Sequence, residues 1–374
     1  MIYLDAAATT FQKPTTVAAA MEEALAAMSS PGRGSYGAAQ RAAETVFECR
    51  CQLAELFHLS DPSRVVFTQN ATHGLNIAIG SLMPEGGKAV ISGYEHNAVT
   101  RPLAARKAEI VVAEAPLFDA DASAEAFFRL IGEDADAVIC SHVSNVFGFV
   151  QPLEEIASLC RQRGVPLIVD ASQSAGVIPL DMEKLGAAFI AMPGHKGLYG
   201  PQGTGVLLCG EGVAAEPLLF GGTGSLSAVQ EMPEFLPDRL EAGTHNVPGI
   251  AGLLAGVRYV RERGEARICR RERELALLAA ELLRELPGVR VYAERGLRNQ
   301  TGVLSFAVEG MDVGAVGAAL AEQEIALRTG LHCAPLAHRS AGTWETGTVR
   351  LSFSDFNTAE EVFRLQEALK RLIP

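Results

Sequence analysis

The stretch PLIVDASQSAGVIPLDMEKLGAAFIAMPGHKGLYGP, Pro166 to Pro201, decides how the rest of the chain is read. It opens on an apolar run, Leu167-Ile168-Val169, that stops at Asp170. A second apolar run, Ala187 to Met192, stops at Pro193-Gly194-His195-Lys196-Gly197. Short apolar runs bounded by turn residues predict buried strands. In open α/β folds ligands sit beyond the carboxyl ends of such strands, so an acid ending one strand and a lysine after the next can meet there. Two readings fit the pair. One is a strand-end salt bridge beside a glycine turn. The other is a pyridoxal phosphate (PLP) site, in which Lys196 forms the Schiff base and Asp170 keeps the pyridine nitrogen protonated.

Outward from this stretch, strand and helix alternate. Strands are predicted at Arg64 to Phe67, Ala89 to Ser92, Glu109 to Val112, Ala137 to Cys140 and Thr204 to Leu208, with helices starting near Ala98, Ala122 and Leu153. Such alternation implies βαβ units and a largely parallel sheet. Before it come a short strand, Ile2 to Leu4, a helix after Pro14, a loop from Ser29 to Gly37 and a long helix from Ala38 to Phe57. LNIAIGSL, from Leu75, also reads as helical. Beyond it lie a weakly periodic region, Gly221 to Gly243, and helices over Pro248 to Arg263 and Ala266 to Leu286. From Gly288 the pattern becomes that of a small α+β unit, with strands at Val289 to Tyr292, Gly302 to Val308 and Val349 to Phe353 and helices at Val313 to Glu322 and Ala359 to Leu372.

Bulk properties narrow the function. A chain of 374 residues can hold two domains with sizeable cores. Hydrophobic residues at 48% with 20% charged residues describe a globular protein. A net charge of -12 without a long basic block argues against nucleic acid or an anionic membrane as the main partner. The N-terminus MIYLDAAATT lacks a secretory pattern, and no apolar run approaches the ~18 residues of a spanning helix. Seven scattered cysteines without CxxC pairs predict a reducing cytoplasm and no metal site.

Several strand-terminating loops carry polar groups. Asn70-Ala71-Thr72-His73-Gly74 stands before a helix, where free backbone N–H groups bind phosphate; an ordinary cap by Asn70 or Thr72 is the other reading. His96, in Tyr94-Glu95-His96-Asn97, is placed to stack on a flat ring and move protons, or is a lone surface histidine. Asn145 and Gln173 follow strands and offer amides to a cofactor or a carboxylate. Cys333 lies in RTGLHCAPLAH with Arg328, His332 and His338 nearby, a setting that favours a thiolate nucleophile. The other six cysteines read as packing residues. Arg350 is a charge inside an apolar strand, costly unless paired. It suits a bidentate carboxylate fork, with an internal Asp or Glu partner as the alternative.

Together these blocks resemble the class V fold-type I PLP enzymes, and within them the cysteine desulfurase and selenocysteine lyase family, group II-like in its short cysteine loop. The blocks are YLDAAATT, NATHGLN, EHNA, SNVFG, VDASQSAG, GHKGLYGPQGTG, EAGTHN and RTGLHCA, in the family's order and over nearly the whole chain. The resemblance implies an α/β PLP-dependent transferase of fold type I. Its large domain, 14–255, would hold a mostly parallel seven-stranded sheet. A small α+β domain, 1–13 and 256–374, would carry the cysteine loop. It implies catalytic roles for Lys196, Cys333 and His96, with His96 stacked on the ring and Asp170 on the pyridinium. Gln173 and Asn145 would contact the phenol oxygen, while Ala71, Thr72 and His195 hold the phosphate. Thr244 would reach the site of a neighbouring subunit in a homodimer. Arg350, Asn145 and Arg328 would bind the substrate.

The implied reaction converts L-cysteine to L-alanine and leaves sulfur on Cys333 as a persulfide for an acceptor protein, in sulfur mobilisation of the kind that feeds iron–sulfur cluster assembly. Selenocysteine lyase and aminotransferase reactions are alternatives, as is a PLP-fold protein that only binds a sulfur carrier. Two departures stand out: Ala6 replaces the family's usual asparagine, and Pro193 replaces the serine common before Gly194-His195-Lys196. Lost phosphate contacts would each be worth roughly 1.5–3 kcal/mol.

Overall fold

The computed structural model describes residues 1–32 and 34–373; Arg33, inside the expected loop Ser29 to Gly37, and Pro374 lie outside the described residues. The first part of the chain runs β1 (Ile2–Tyr3), α1 (Thr15–Ala27), α2 (Gly37–Leu56), β2 (Val65–Thr68), α3 (Ala71–Leu82), β3 (Lys88–Ser92), α4 (Asn97–Ala105), β4 (Glu109–Ala113) and α5 (Ala120–Leu130). It continues with β5 (Ala137–Ser141), α6 (Leu153–Arg163), β6 (Leu167–Asp170), α7 (Met182–Leu185), β7 (Phe189–Pro193) and β8 (Gly205–Cys209). These strands form one seven-stranded sheet in the order β2-β8-β7-β6-β5-β3-β4. From β7 to β4 every pairing is parallel, as the alternation requires.

The departure is β8, which is antiparallel to both neighbours. Two reversals leave β2 running in the same direction as β7, so the end of β2 at Thr68 arrives at the carboxyl edge already formed by β3, β5, β6 and β7. Strands β5, β6, β7 and β8 are buried at every position, which explains their unbroken apolar runs.

The second part runs α8 (Val247–Arg263), α9 (Glu265–Arg284), β9 (Val289–Tyr292), β10 (Val303–Val308), α10 (Val313–Ala321), β11 (Ile325–Ala326), β12 (Arg328–Gly330), α11 (Pro335–Ser340), β13 (Thr348–Ser352) and α12 (Ala359–Leu372). A four-stranded antiparallel sheet, β12-β13-β10-β9, is covered by α9, α10 and α12 around a core that includes Leu304, Phe306, Leu351 and Leu369. The two ends of the chain meet in this core. β1 pairs in parallel with β11, and Ile2 and Leu4 are buried among residues from Leu275 onward. Among the described residues no helix is long and apolar enough to cross a membrane.

The stretch quoted at the outset folds as two turns back to back. Gly176 has φ +78°, and a Cβ there would stand 2.3 Å from the carbonyl oxygen of Gly197. A Cβ on Gly197 would stand 2.4 Å from the carbonyl oxygen of Ala175. Only glycine on both sides lets the turn after Asp170 seat against the turn that carries Lys196.

Candidate active site

Asp170 is the last residue of β6, and Lys196 follows the end of the adjacent parallel strand β7 by three positions. Both line one cleft at the carboxyl edge of the sheet, together with Ala71, Thr72, His96, Asn145, Gln173, Pro193 and His195. Those residues arrive on the ends of β2, β3, β5, β6 and β7, so the parallel topology itself assembles the cleft. Nine of the residues singled out from sequence are thereby brought together.

The electrostatics follow from burial and neighbours. Burial pulls the Lys196 ammonium down to about 8, against the opposing pull of Asp170, with Arg350 and Arg328 lowering it further. A lysine so placed is readily the free amine that Schiff-base formation needs. Asp170 is buried, and its Oδ1 accepts the Ser172 N–H at 2.9 Å. His96 caps α4, its Nδ1 accepting the Ala98 N–H at 3.0 Å, and burial holds its pKa below the usual imidazole value. His195 is pushed down to about 4, by burial first and then by the charges of Lys196 and Lys13.

At the start of α3 the Asn70 side chain accepts the His73 N–H at 2.9 Å. That cap satisfies the third helical donor and leaves the N–H groups of Ala71 and Thr72 without intrahelical acceptors, so the capping and anion-binding readings coexist.

The residues fit PLP. They combine a buried amine near a carboxylate, a histidine on the cleft wall and unpaired helix N–H groups. Among the described residues, Asn145 Oδ1 is also buried in the wall without a hydrogen-bond partner.

Arg350, Arg328 and Cys333 adjoin this cleft on the small-sheet side, reached through Asn145 and Asn97. The Arg350 guanidinium is ion-paired with Asp5, Nη2 to Oδ1 at 2.5 Å, and its Nη1 donates to the Asn145 carbonyl at 2.9 Å. The internal acidic partner considered from sequence therefore exists. Cys333 is the exposed cysteine; Cys51 is half-buried and the other five are buried. Burial pushes the thiols of Cys160 and Cys209 up to about 12, away from nucleophilic use. Both His332 (φ 49°) and Cys333 (φ 57°) adopt left-handed backbone conformations. Bonds from three directions hold that strained turn. Asn145 Nδ2 donates to the His332 carbonyl at 2.8 Å, Asn97 N–H donates to the Cys333 carbonyl at 2.8 Å, and His332 Nε2 lies 3.1 Å from the Thr348 carbonyl. Because Asn97 follows His96, the cysteine loop is bonded directly to the rim of the cleft. Arg328 Nη2 lies 3.9 Å from Cys333 Sγ.

Thr244 is not in the cleft. It is exposed in the segment after Glu241, which is fixed by a buried ion pair to Arg50 and by accepting the Phe67 N–H at 2.6 Å.

Sequence reasoning missed the N-terminal strap. Thr9 Oγ1 lies 3.0 Å from His195 Nδ1, Thr10 N–H donates to the His195 carbonyl, and Gln173 Nε2 donates to the Ala7 carbonyl at 3.0 Å. Lys13 donates to Thr10 Oγ1 at 2.9 Å, and burial lowers it to about 8. Glu95 was also passed over. It is fully buried, is pushed up to about 7 by burial, and accepts from Ser92, Ser141 N–H and Ser141 Oγ. Glu95 thus ties β3 to β5 beside the cleft. An acid directly before His96, at the end of a buried strand, was the available signal.

Residues 2–365 match the family described as aminotransferase class-V. The chain is 34% identical over 385 residues to a probable cysteine desulfurase of Methanothermobacter thermautotrophicus, covering 99% of this chain and 94% of the relative. It is 33% identical over 389 residues to a cysteine desulfurase of Escherichia coli O157:H7, covering 100% and 93%. The fold superposes on the apo cysteine desulfurase of Thermococcus onnurineus NA1 with a TM-score of 0.89, at 33% identity, covering 100% of this chain and 94% of that one.

Proposed function

We propose, from the premise that the chain belongs to the aminotransferase class-V family, that it is a PLP-dependent cysteine desulfurase. The observation that carries the proposal is the bonding of the loop of Cys333, the one exposed cysteine among the described residues, to the rim of the lysine cleft through Asn97 and Asn145. An aminotransferase needs the cleft but has no use for a thiol held at its edge.

Lys196, Asp170, Gln173, His96, Asn145, Ala71, Thr72 and His195 would hold the cofactor. When bound, PLP supplies an electron sink that acidifies the Cα–H of an amino acid joined to it. Asp170 keeps a proton on the pyridine nitrogen, and His96 covers the ring. Lys196, with its lowered pKa, takes the Cα proton and returns it. Arg350 and Arg328 orient the substrate carboxylate, with Asn145 beside them. Cys333 Sγ, as thiolate, attacks the substrate sulfur. The S–S bond forms as the Cβ–S bond breaks, the electron pair stays on carbon, and a proton there completes alanine.

The assembly is read as a homodimer. Exposed Phe47 on α2 and Phe220 stand in the same part of the chain's surface as exposed Thr244, which would reach the partner's phosphate site. The persulfide is read as passing to a separate acceptor protein.

Incubation with L-cysteine tests the reaction. The expected products are alanine and Cys333-bound sulfur, and Cys333→Ala abolishes both on cysteine while keeping the colour of bound PLP. Selenocysteine, with its better leaving group, remains a substrate of the variant. Formation of pyruvate in place of alanine, or full desulfurase activity in Cys333→Ala, would sink the proposal.

A further inference from the structure

We infer that Asp5 is a specificity-determining positioning residue: its carboxylate holds the place on Arg350 that the α-carboxylate of the substrate takes, so binding exchanges one carboxylate for another. The inference rests on the proposed role of Arg350 in holding that carboxylate.

The geometry around Arg350 carries it. The side chain is 1% exposed, whereas that of Asp5 is 18% exposed. The pair therefore presents its acidic half to solvent, and an incoming anion meets Asp5 before it can meet the guanidinium. A carboxylate seats on a guanidinium as a fork over two parallel N–H groups. Of the side-on pair in Arg350, Nη2 is held by Asp5 and Nε is buried without a partner among the described residues. A single acid oxygen thus occupies a fork built for two. A free carboxylate reaching the same face completes the fork and leaves Asp5 to solvent.

The local charge count points the same way. Arg328 faces Arg350 directly across the β12–β13 pairing. Among the described residues the polar partner of its guanidinium is Cys333 Sγ, at 3.9 Å. Two guanidiniums and Asp5 sum to one positive charge, which a single further carboxylate neutralises. The class of ligand implied is an α-amino acid with a free carboxylate, in preference to its amide or ester. Neighbouring bonds keep the Asp5 backbone in place during the exchange. Ala7 N–H donates to Ser352 Oγ at 2.8 Å and the Tyr3 hydroxyl to the Asp5 carbonyl at 3.1 Å. The exchange is then a side-chain movement and leaves the strap bonded.

Titration of the PLP-loaded enzyme with L-alanine and with L-alaninamide, followed by cofactor absorbance, tests the exchange. Asp5→Asn keeps a hydrogen-bond acceptor for Nη2 and removes the competing charge; Asp5→Ser serves as a second variant. The expected result is tighter L-alanine binding in both variants, with the preference for L-alanine over L-alaninamide rising about tenfold, as for loss of one competing charge-assisted contact. An unchanged preference, or equal weakening of both ligands, overturns the exchange and makes Asp5 a scaffold residue. If wild type itself shows no preference for L-alanine over its amide, the carboxylate role of Arg350 fails, independently of Asp5.

Discussion

The cleft and the small-sheet cluster bonded to its rim through Asn145 and Asn97, its facing wall, are built in opposite ways. The sheet-edge wall, with Asp170 and Lys196, comes from neighbouring parallel strands and a pair of glycine turns within one stretch. The facing wall, with Asp5, Arg350, Arg328 and Cys333, joins parts of the chain that are far apart. Asp5 and Arg350 are 345 positions apart, and Asn145 and the His332 carbonyl it binds are 187 apart. The first wall takes its rigidity from the core that folds around it. The second adds, to the sheet that carries Arg328 and Arg350, a few polar contacts between distant parts of the chain. Position on the first wall is thus a property of the sheet edge alone, while position on the second depends also on individual long-range bonds.

Substitutions can break either wall. The largest effect is expected at Lys196. Lys196→Ala should lower kcat/KM for cysteine by at least about 10³–10⁴, since in the proposed reaction it removes both covalent attachment and proton transfer; steady-state alanine release measures it, and a loss under tenfold would mean another base. Next comes Arg350→Ala on the facing wall. It leaves Asp5 and the Asn145 carbonyl without their buried donor and should destabilise by about 3 kcal/mol, read from denaturant midpoints. On the sheet-edge wall, Gly197→Ala forces a methyl into the Ala175 carbonyl and should cost about 1–3 kcal/mol. If Gly197→Ala were neutral, the back-to-back turns would not be what sets the lysine.

The effect that is smallest at neutral pH, and grows only on acidification, is a pH dependence on the facing wall. Burial, reinforced by the Arg350 charge, holds His332 neutral down to about 2. Its folded pKa is depressed, so the unfolded chain binds the extra proton. The contribution of His332 is intact above its unfolded value of about 6.5 and is lost as pH falls below it, by about 1.4 kcal/mol per unit for this one group. His332→Asn should flatten the acid limb of a stability–pH curve between about pH 6.5 and 4 by that slope. An unchanged limb would assign it to His142, His195 or His338, which burial also pushes down to about 4.

The same contrast explains what the sequence disclosed. Asp170, Lys196, His96 and the α3 loop are legible because each ends a buried strand, and apolar runs announce buried strands. The parallel core of the sheet followed from alternation alone. β11 and β12, of two and three residues, are too short for any periodic signal. α3 begins four residues before the apolar run that suggested it, because Asn70 starts it by capping. The reversal at β8 also lay outside a reading based on alternation. Asp5 was visible only as part of a block, since nothing local says that an acid at position 5 meets an arginine at position 350. Cys333 stood out by its neighbours in sequence, but its tethering to Asn97 and Asn145 is long-range. The replacement of the usual serine by Pro193 falls on the cleft wall, beside His195, where the strap from Thr9 and Thr10 adds hydroxyls that the sequence reading had not placed.

The central claim is that the two walls meet in chemistry at Cys333. Mass spectrometry of the peptide carrying Cys333, after the PLP-loaded enzyme has turned over L-cysteine without an acceptor, tests this most directly. One added sulfur atom on Cys333, formed one-for-one with the first alanine released, is the predicted result. Alanine released with Cys333 unmodified, or sulfur on any of the other six cysteines instead, would contradict it.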